Sequence, residues 1–352
     1  MRTGLLRSRR FVAAAAVSAL ALTACGGSDS SSDTDTASGD SGASSDVRVA
    51  LAYDIGGRGD QSFNDAAAAG LDRAVEELGV EVREAEAGAG ESDSAKEERL
   101  RLLASSGFNP VIAVGFAYSG PLAAVAEEFP DTTFAIVDDA AAEGDNISNL
   151  VFAEEQGSFL VGVAAALKSP NGNVGFIGGV EVPLIKKFEA GFKAGAEAVK
   201  PGITVQTTYL TQPPDFTGFN DPAKGRTAAQ GMFDSGADVV YHAAGGSGSG
   251  LFEAADAAGK LAIGVDSDQY VTAGEAVQDV ILTSMLKKVD VAVFDFINSA
   301  VEGDVQSGQT VYDLEAGGVD YSTSGGKVDD ITAQLEDYKQ KIISGEITVP
   351  TS

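Results

Sequence analysis

The sequence predicts two α/β lobes that face each other across a cleft, and three observations support this fold class. Short apolar runs typical of buried strands alternate with segments whose apolar residues recur at helical spacing. The alternation starts twice, over about residues 47–152 and again over about 173–268. In both halves polar motifs follow the strands, which is where open α/β sheets bind ligands. This pattern implies mainly parallel sheets with right-handed connections.

The first half begins with a buried strand at 47–53 and an Ala-rich helix at 65–78. The connecting loop, Asp54 to Asn64, contains three glycines that permit sharp turns and close approach to a guest. It also holds carboxylates, an amide and the ring of Phe63. The later elements of this half are strands at 81–85, 110–115, 133–137 and 149–152, and helices at 94–106, 121–129 and 154–167.

The alternation restarts after a Ser-Pro-Asn-Gly break at 169–172. The predicted strands are 173–179, 203–209, 238–244 and 261–265, with helices at 184–199, 222–234 and a third that ends at 258. The remaining chain returns over both lobes through a segment at 283–288, a helix at 289–301, a strand at 309–314 and a helix at 329–343. Repeated crossing between lobes is typical of a hinge.

The N-terminus is predicted to be a lipoprotein signal peptide. Four arginines precede an apolar run at 11–22, and small residues then lead to Cys25, the only cysteine of the chain. This arrangement resembles a bacterial lipobox, in which the cysteine is lipidated; an ordinary signal peptide or a buried cysteine is the alternative. The expected division is a signal peptide at 1–24, an anchor and flexible linker at 25–46, lobes at 47–155 and 156–282, and a crossover segment at 283–352.

Composition excludes several classes of function. The formal charge is −28, and because the leader carries four arginines and no acid the mature chain is near −32. So acidic a surface argues against nucleic-acid partners. The single histidine, His242, lies in an apolar strand, where a core role is the commoner one. Without further His or Cys no triad and no Cys/His metal site can form, although carboxylate-only metal binding or acid catalysis stays open.

No cofactor is predicted. The Gly-rich run 245–250 after a strand lacks the spacing of a dinucleotide fingerprint, and no phosphate-binding P-loop motif is present. Acids instead follow the strands, and aromatic rings lie in the loops. Carboxylates accept hydrogen bonds from vicinal hydroxyls and rings stack on flat ligands, so a nucleoside or a sugar is the favoured guest; taken singly, each acid could equally be a helix cap. The acids are Asp54, Asp138 or Asp139, Asp266 and Asp268, and the rings Phe63, Phe116 and Phe219.

The loop from Asp54 to Asp65 closely resembles the signature loop of the basic membrane lipoprotein (BMP) family, the substrate-binding lipoproteins of ABC transporters. Further segments resemble the same family at 114–117, 134–138, 155–162, 188–192, 221–225, 243–248, 264–269 and 283–287. The resemblance implies a type I periplasmic-binding fold, in which two Rossmann-like lobes joined by three crossovers enclose a ligand.

The resemblance also implies a role for each matching residue. Phe63 would stack on a purine base, with Phe219 as the candidate opposing ring, and Asn64 and Asp138 would reach the base edge. Lys287 would donate to a hydroxyl or form a salt bridge to Asp266. The residues expected around the ribose are Asp54, Gly246, Asp266 and Lys287.

The implied function is that of a lipid-anchored, monomeric nucleoside receptor, with no catalytic residue or metal, which delivers its ligand to permease and ATPase subunits. Three alternatives remain at this point. The protein could bind a sugar or an autoinducer, it could hydrolyse nucleosides with a metal held by the strand-end acids, or it could be a surface sensor or adhesin whose cleft is empty.

Overall fold

The computed structural model describes residues 46–88 and 90–352, which belong to one compact unit. The predicted signal peptide, the lipidation site Cys25 and the linker up to residue 45 lie outside the described residues. Within the described ranges, no helix combines the length and the apolar character that crossing a membrane requires.

The N-terminal lobe is built around a parallel sheet whose inner strands are fully buried. Its helices pack on both faces, as the apolar runs of the strands require. The elements are β1 (Arg48–Ala52), α1 (Phe63–Leu78), β2 (Glu81–Ala85), α2 (Asp93–Ser105), β3 (Val111–Val114), α3 (Ser119–Glu128), β4 (Phe134–Val137) and β5 (Ile147–Phe152).

The C-terminal lobe repeats this construction after an apolar helix that leaves the first lobe. Its elements are α4 (Glu154–Lys168), β6 (Asn173–Val180), α5 (Pro183–Val199), β7 (Thr204–Thr211), α6 (Pro222–Asp234), β8 (Val239–Ala243), α7 (Gly248–Ala258), β9 (Leu261–Asp266), α8 (Gln269–Thr272) and β10 (Ile281–Lys287). The last elements are α9 (Val289–Glu302), β11 (Gly308–Tyr312), β12 (Val319–Tyr321) and α10 (Thr332–Ile343).

The two six-stranded sheets have the same order, position by position. The first is β11-β5-β4-β3-β1-β2 and the second β12-β10-β9-β8-β6-β7. Every pair in the first sheet is parallel, whereas in the second β12 runs antiparallel to β10. The segment predicted at 283–288 is therefore a core strand of the C-terminal lobe, and β11 and α9 return to the N-terminal lobe, where α9 packs against α1.

The chain crosses between the lobes three times, at Ala153, at Lys288 and between β11 and β12. The crossings are hydrogen-bonded to one another or to the adjoining helix. The Ala153 N–H donates to Tyr312 O at 3.1 Å and the Lys288 N–H to Gly318 O at 2.8 Å. The Leu314 N–H donates to Gln156 Oε1 at 3.0 Å. Three adjacent crossings form the hinge that the two-lobed fold predicts.

Candidate ligand-binding cleft

A cleft between the lobes contains about 550 Å³ of unoccupied space, part of it open to solvent. Gly246 is not among the lining residues, and its neighbour Gly245 lines the cleft instead. The other seven residues predicted from the sequence to bind ligand all line the cleft: Asp54, Phe63, Asn64, Asp138, Phe219, Asp266 and Lys287.

The loop from Asp54 to Asn64 is held by its own side chains. Asn64 Oδ1 accepts from the Asp54 N–H at 3.0 Å, and Asn64 Nδ2 donates to Asp60 Oδ2 at 3.0 Å. Asp60 also accepts from the backbone N–H groups of Ser62, Asn64 and Asp65 at 2.9–3.1 Å, so it caps the start of α1. Burial raises the pKa of Asp60 to about 6 although these donors act to lower it.

Asp54 lies two residues after the end of β1 and faces the end of the neighbouring strand β3. A Cβ at Gly115 would clash with the Asp54 carboxylate, and the φ of +99° at Gly115 also favours glycine. Glycine at this position therefore lets the Asp54 carboxylate lie across the strand ends. Burial raises the pKa of Asp54 to about 6, with the Ile55 N–H, which donates at 2.7 Å, acting in the opposite direction.

A buried ion cluster forms the floor of the cleft. Lys287 Nζ contacts Asp138 Oδ2 and lies 3.7 Å from Asp266 Oδ1. Both acids end equivalent strands, β4 and β9, and both have a φ of +63°, a left-handed conformation that Asp tolerates better than most residues. Burial lowers the pKa of Lys287, but the carboxylates of Asp138 and Asp266 outweigh burial and raise it above the usual value.

The cluster leaves one acceptor open. Asp138 Oδ2 is engaged by Lys287, but Asp138 Oδ1 is buried and has no hydrogen-bond partner within the described part of the chain. Asp138 lines the cleft, and an unpaired buried carboxylate oxygen is costly unless a donor reaches it. The geometry therefore suits a guest that presents an N–H or O–H to this oxygen.

The lobes also touch directly beside the cluster. Ser62 Oγ donates to Asp266 Oδ2 at 2.7 Å, and Ser267 Oγ donates to Ser62 O at 3.0 Å. Gln269 Nε2 donates to Gln61 O at 3.0 Å. These bonds connect the N-terminal loop to the end of β9 and the start of α8, so the cleft is in a closed arrangement.

Aromatic rings border the cluster on both lobes. Phe63, the first residue of α1, has its ring centroid 4.6 Å from Lys287 Nζ, a cation–π distance. Across the cleft, Phe219 meets Phe116 edge-on at 6.4 Å, and Phe116 meets Phe216 at 5.9 Å. The rings of Phe63, Phe116 and Phe219 line the cleft, as the sequence pattern of loop aromatics suggested.

Sequence reasoning did not identify the apolar wall of the cleft. Leu184, Ile185 and Phe188 line it from the first turns of α5. Their helical spacing is also that of core residues, so the pattern by itself cannot assign them to a site. The sequence signal nearest to this wall is Gly179, near the end of β6. A Cβ at this position would clash with the ring of Phe219, so the glycine marks a place where a cleft residue packs against the strand.

His242 is a core residue, in agreement with the prediction. It is fully buried, and its Nε2 donates to Gln269 Oε1 at 2.9 Å. Burial lowers the pKa of His242 to about 4, so the imidazole is neutral at physiological pH. Across residues 46–88 and 90–352, no cluster of three or more His, Cys, Asp or Glu side chains is suited to hold a metal ion.

The fold and cleft together define a two-lobed solute-binding protein. Residues 47–352 match the Bmp family, described as ABC transporter substrate-binding protein PnrA-like. The chain belongs to this family, which confirms the resemblance and the periplasmic-binding fold predicted from the sequence.

Relatives along almost the whole chain agree with this family. The CD4+ T-cell-stimulating antigen of Listeria innocua is 37% identical, with 95% of each chain covered. The ABC transporter nucleoside-binding protein BmpA of Lactococcus lactis is 34% identical over 90% of this chain and 92% of that protein. A solved ABC-transporter solute-binding protein from Aeropyrum pernix superposes with a TM-score of 0.77 at 31% identity, covering 87% of this chain and 94% of that one.

Proposed function

We propose that this protein captures a nucleoside, most favourably a purine nucleoside, between its lobes and delivers it to the permease and ATPase subunits of an ABC importer. The observation that carries the proposal is the juxtaposition of a buried Lys–Asp cluster with aromatic rings in one closed cleft. Hydroxyl-binding charges beside stacking rings suit a sugar joined to a flat base. The nucleoside-binding relative from Lactococcus lactis supports the same choice.

The proposed base contacts come from both lobes. Phe63 and Phe219 provide ring surfaces, and the open Asp138 Oδ1 accepts a base-edge N–H. Asn64 already uses its amide to hold the loop, donating to Ile55 O and Asp60 and accepting from the Asp54 N–H. Its Oδ1 retains one acceptor position, so we assign Asn64 a secondary contact with the base.

The proposed ribose contacts surround the cluster floor. Asp54 and Asp266 accept from hydroxyls, Lys287 donates to them, and the Gly245–Gly246 turn lets backbone approach the sugar. Among the described residues that line the cleft, acids outnumber the one cation, Lys287, which is itself paired with Asp138 and Asp266; this balance disfavours an anionic ligand such as a nucleotide.

We further propose that the mature protein is a monomer anchored by lipid on Cys25 at the extracytoplasmic face of the membrane. The lipobox-like sequence supports this, as does the 31% identity to an uncharacterized lipoprotein of Pyrococcus furiosus. Cys25→Ala should abolish labelling by radioactive palmitate and shift the protein from the membrane fraction to the soluble fraction. Retention of label in this variant would contradict the anchor.

Isothermal calorimetry with adenosine, guanosine, inosine, uridine and ribose tests the ligand class. We expect one-to-one binding, tighter for at least one purine nucleoside than for uridine, and weak or no binding of ribose. Absence of heat with every nucleoside would refute the proposal. Tight binding of ribose without the base would favour a sugar receptor, and release of free base from inosine would indicate a hydrolase.

A further inference from the structure

Glu154 is a buried acid at the hinge that the proposed ligand contacts do not use. It is the first residue of α4, next to the crossing at Ala153, and only 1% of its surface is exposed. Its Oε1 has no hydrogen-bond partner among the described residues. Its Oε2 lies 3.4 Å from Lys187 Nζ, the one ion pair that the described structure shows for it.

This environment disfavours the ionised form of Glu154. A buried carboxylate needs several good donors to offset lost hydration, and one contact at 3.4 Å is a weak substitute. The nearby cation Lys287 is already shared between Asp138 and Asp266. Burial, together with the charge of Asp138, raises the pKa of Glu154 to about 8, although Lys287 and Lys187 act to lower it. The closed protein therefore holds a neutral carboxylic acid here at physiological pH.

The surroundings of Glu154 come from both lobes and from the crossings. Asp138 belongs to the N-terminal lobe, Lys187 lies on α5 of the C-terminal lobe, and Lys287 directly precedes the second crossing. Separation of the lobes must therefore change the solvation of this carboxyl. The titratable or charged groups that face it are Lys187 of α5, Lys287 of β10, Asp138 after β4, Tyr241 of β8 and, on its own helix, Glu155, with Asp266 on the far side of Lys287.

We propose that Glu154 is a proton-binding residue of the hinge, which positions Lys287 and couples ligand capture to uptake of one proton. Closing the lobes buries the carboxyl in its neutral form, and ionisation of the carboxyl favours the open form. When Glu154 is neutral, Lys287 pairs only with Asp138 and Asp266. When Glu154 is ionised, its carboxylate competes with those two acids for the Lys287 ammonium. This inference rests on the proposed function, because closure on a nucleoside is the event that traps the proton.

The sign of the pH dependence follows from linkage. A group whose pKa is raised in the closed form favours closure fully below its open-form pKa. The free energy that protonation of Glu154 adds to closure declines as pH rises, and it is lost above the closed-form pKa of about 8. Affinity should therefore fall by up to about tenfold per pH unit between the two values and become constant above the higher one.

Calorimetry of the mature protein in buffers of different ionisation enthalpy measures this proton directly. The probe is whichever of adenosine, guanosine or inosine binds most tightly. We expect uptake approaching one proton per nucleoside between about pH 6.5 and 7.5 and close to none at pH 9. Nucleoside binding without proton uptake overturns the inference, whereas absence of nucleoside binding overturns the proposed function, so the two failures are distinguishable.

Three variants assign the proton to a residue. Glu154→Gln should abolish uptake and flatten the dependence of affinity on pH, and retained uptake overturns the assignment. Glu197→Gln makes the same change on an exposed side chain of α5 and should keep the wild-type profile. Lys187→Met removes the adjacent cation and should extend the decline in affinity above pH 8. If Glu154→Gln does not fold, the pH range of the decline in Lys187→Met and the number of protons that the wild type takes up on binding still test the inference.

Discussion

The two lobes share one strand order but contribute different chemistry to the cleft. Their equivalent strands β4 and β9 both end in an Asp with a φ of +63°, and both acids lie near the same Lys287 ammonium. The N-terminal lobe adds the hydrogen-bonded loop that carries Asp54, Phe63 and Asn64. The C-terminal lobe adds an apolar wall from the start of α5. The two lobes thus share the ion cluster, and they differ in that one adds a polar loop and the other an apolar wall.

The duplication explains why the cleft could be located from the sequence. Strand–helix alternation predicts where each strand ends, and the ends of parallel strands meet at one edge of a sheet. Asp54, Asp138 and Asp266 were assigned to the cleft on this ground, and all three line it. The family resemblance, in contrast, was needed to select Lys287, because a lysine at the end of a strand has no distinctive local pattern.

Substitution of Lys287 is predicted to have the largest effect on stability, because this lysine pairs with an acid from each lobe. Lys287→Met leaves the carboxylates of Asp138 and Asp266 buried and unpaired, which should cost about 3–5 kcal/mol in the free energy of unfolding. Urea unfolding at neutral pH measures this loss. Lys288→Met, one residue along and in no described ion pair, is the matched control and should change stability little.

A double variant sharpens the same prediction. Adding Asp138→Asn to Lys287→Met removes one of the stranded charges, so part of the lost stability should return. Simple additivity of the two single effects would show that the cluster is not a coupled unit.

The paired acids are predicted to differ in their effect on ligand affinity. Asp138 keeps one oxygen open, whereas Asp266 uses both, one for Ser62 and one for Lys287. Asp138→Asn should weaken nucleoside binding by about 1.5–3 kcal/mol, the range for a hydrogen bond to a charged group. Asp266→Asn should weaken it less, because the oxygens proposed to accept from the ribose hydroxyls are already engaged by Ser62 and Lys287. Calorimetry on both variants measures the two losses of nucleoside affinity. If the loss for Asp266→Asn is equal to or larger than that for Asp138→Asn, the ligand does not bind the open oxygen of Asp138.

Asp139 provides the control for this pair. Its Oδ2 accepts from Ser119 Oγ at 3.0 Å and from the N–H groups of Ala141 and Ala142 at 3.0 and 2.7 Å, so its role is to hold a turn. Asp139→Asn should lower stability without a matching loss of affinity.

Removing one aromatic ring from each lobe compares how much each lobe contributes to stacking on the ligand. Phe63→Ala removes a ring of the N-terminal lobe and should weaken nucleoside binding by about 1–3 kcal/mol. Phe219→Ala makes the equivalent change in the C-terminal lobe. Phe216→Ala serves as control, because this ring contacts Phe116 but does not line the inner cleft. Equal losses in all three variants would indicate general loosening of the cleft rather than stacking.

Several features lay beyond prediction because they arise only from the packing of distant segments. The short strand β12 has three residues, too few for a period to show, and is defined by pairing with β10. Lys287 was expected to donate to a hydroxyl or to form a salt bridge to Asp266; that ion pair is present at 3.7 Å, whereas the direct contact with Asp138 was not foreseen. The sequence places Glu154 at the start of an apolar helix and gives no sign that this acid is buried beside a crossing of the chain.

Substitution of Asp54 should reveal how much stability the carboxylate in the loop from Asp54 to Asn64 costs. Because burial raises its pKa to about 6 in the folded protein, its contribution to stability is greatest below the unfolded pKa and declines as pH rises through about 6. Asp54→Asn removes that decline. At pH 7.5 the variant should therefore be more stable than the wild type by about 1–2 kcal/mol, after allowance for the partial exposure of the group.

At pH 4, where Asp54 is largely protonated in the folded state, the variant and the wild type should be nearly equal in stability. Glu76→Gln, on the exposed face of α1, should show no such divergence with pH. Urea unfolding at the two pH values, together with nucleoside calorimetry, makes the comparison. Higher stability with weaker binding in Asp54→Asn would show that the loop keeps a destabilising carboxylate for its ligand. If the variant and the wild type have the same free energy of unfolding at both pH values, the Asp54 carboxylate does not destabilise the fold, and the prediction is wrong.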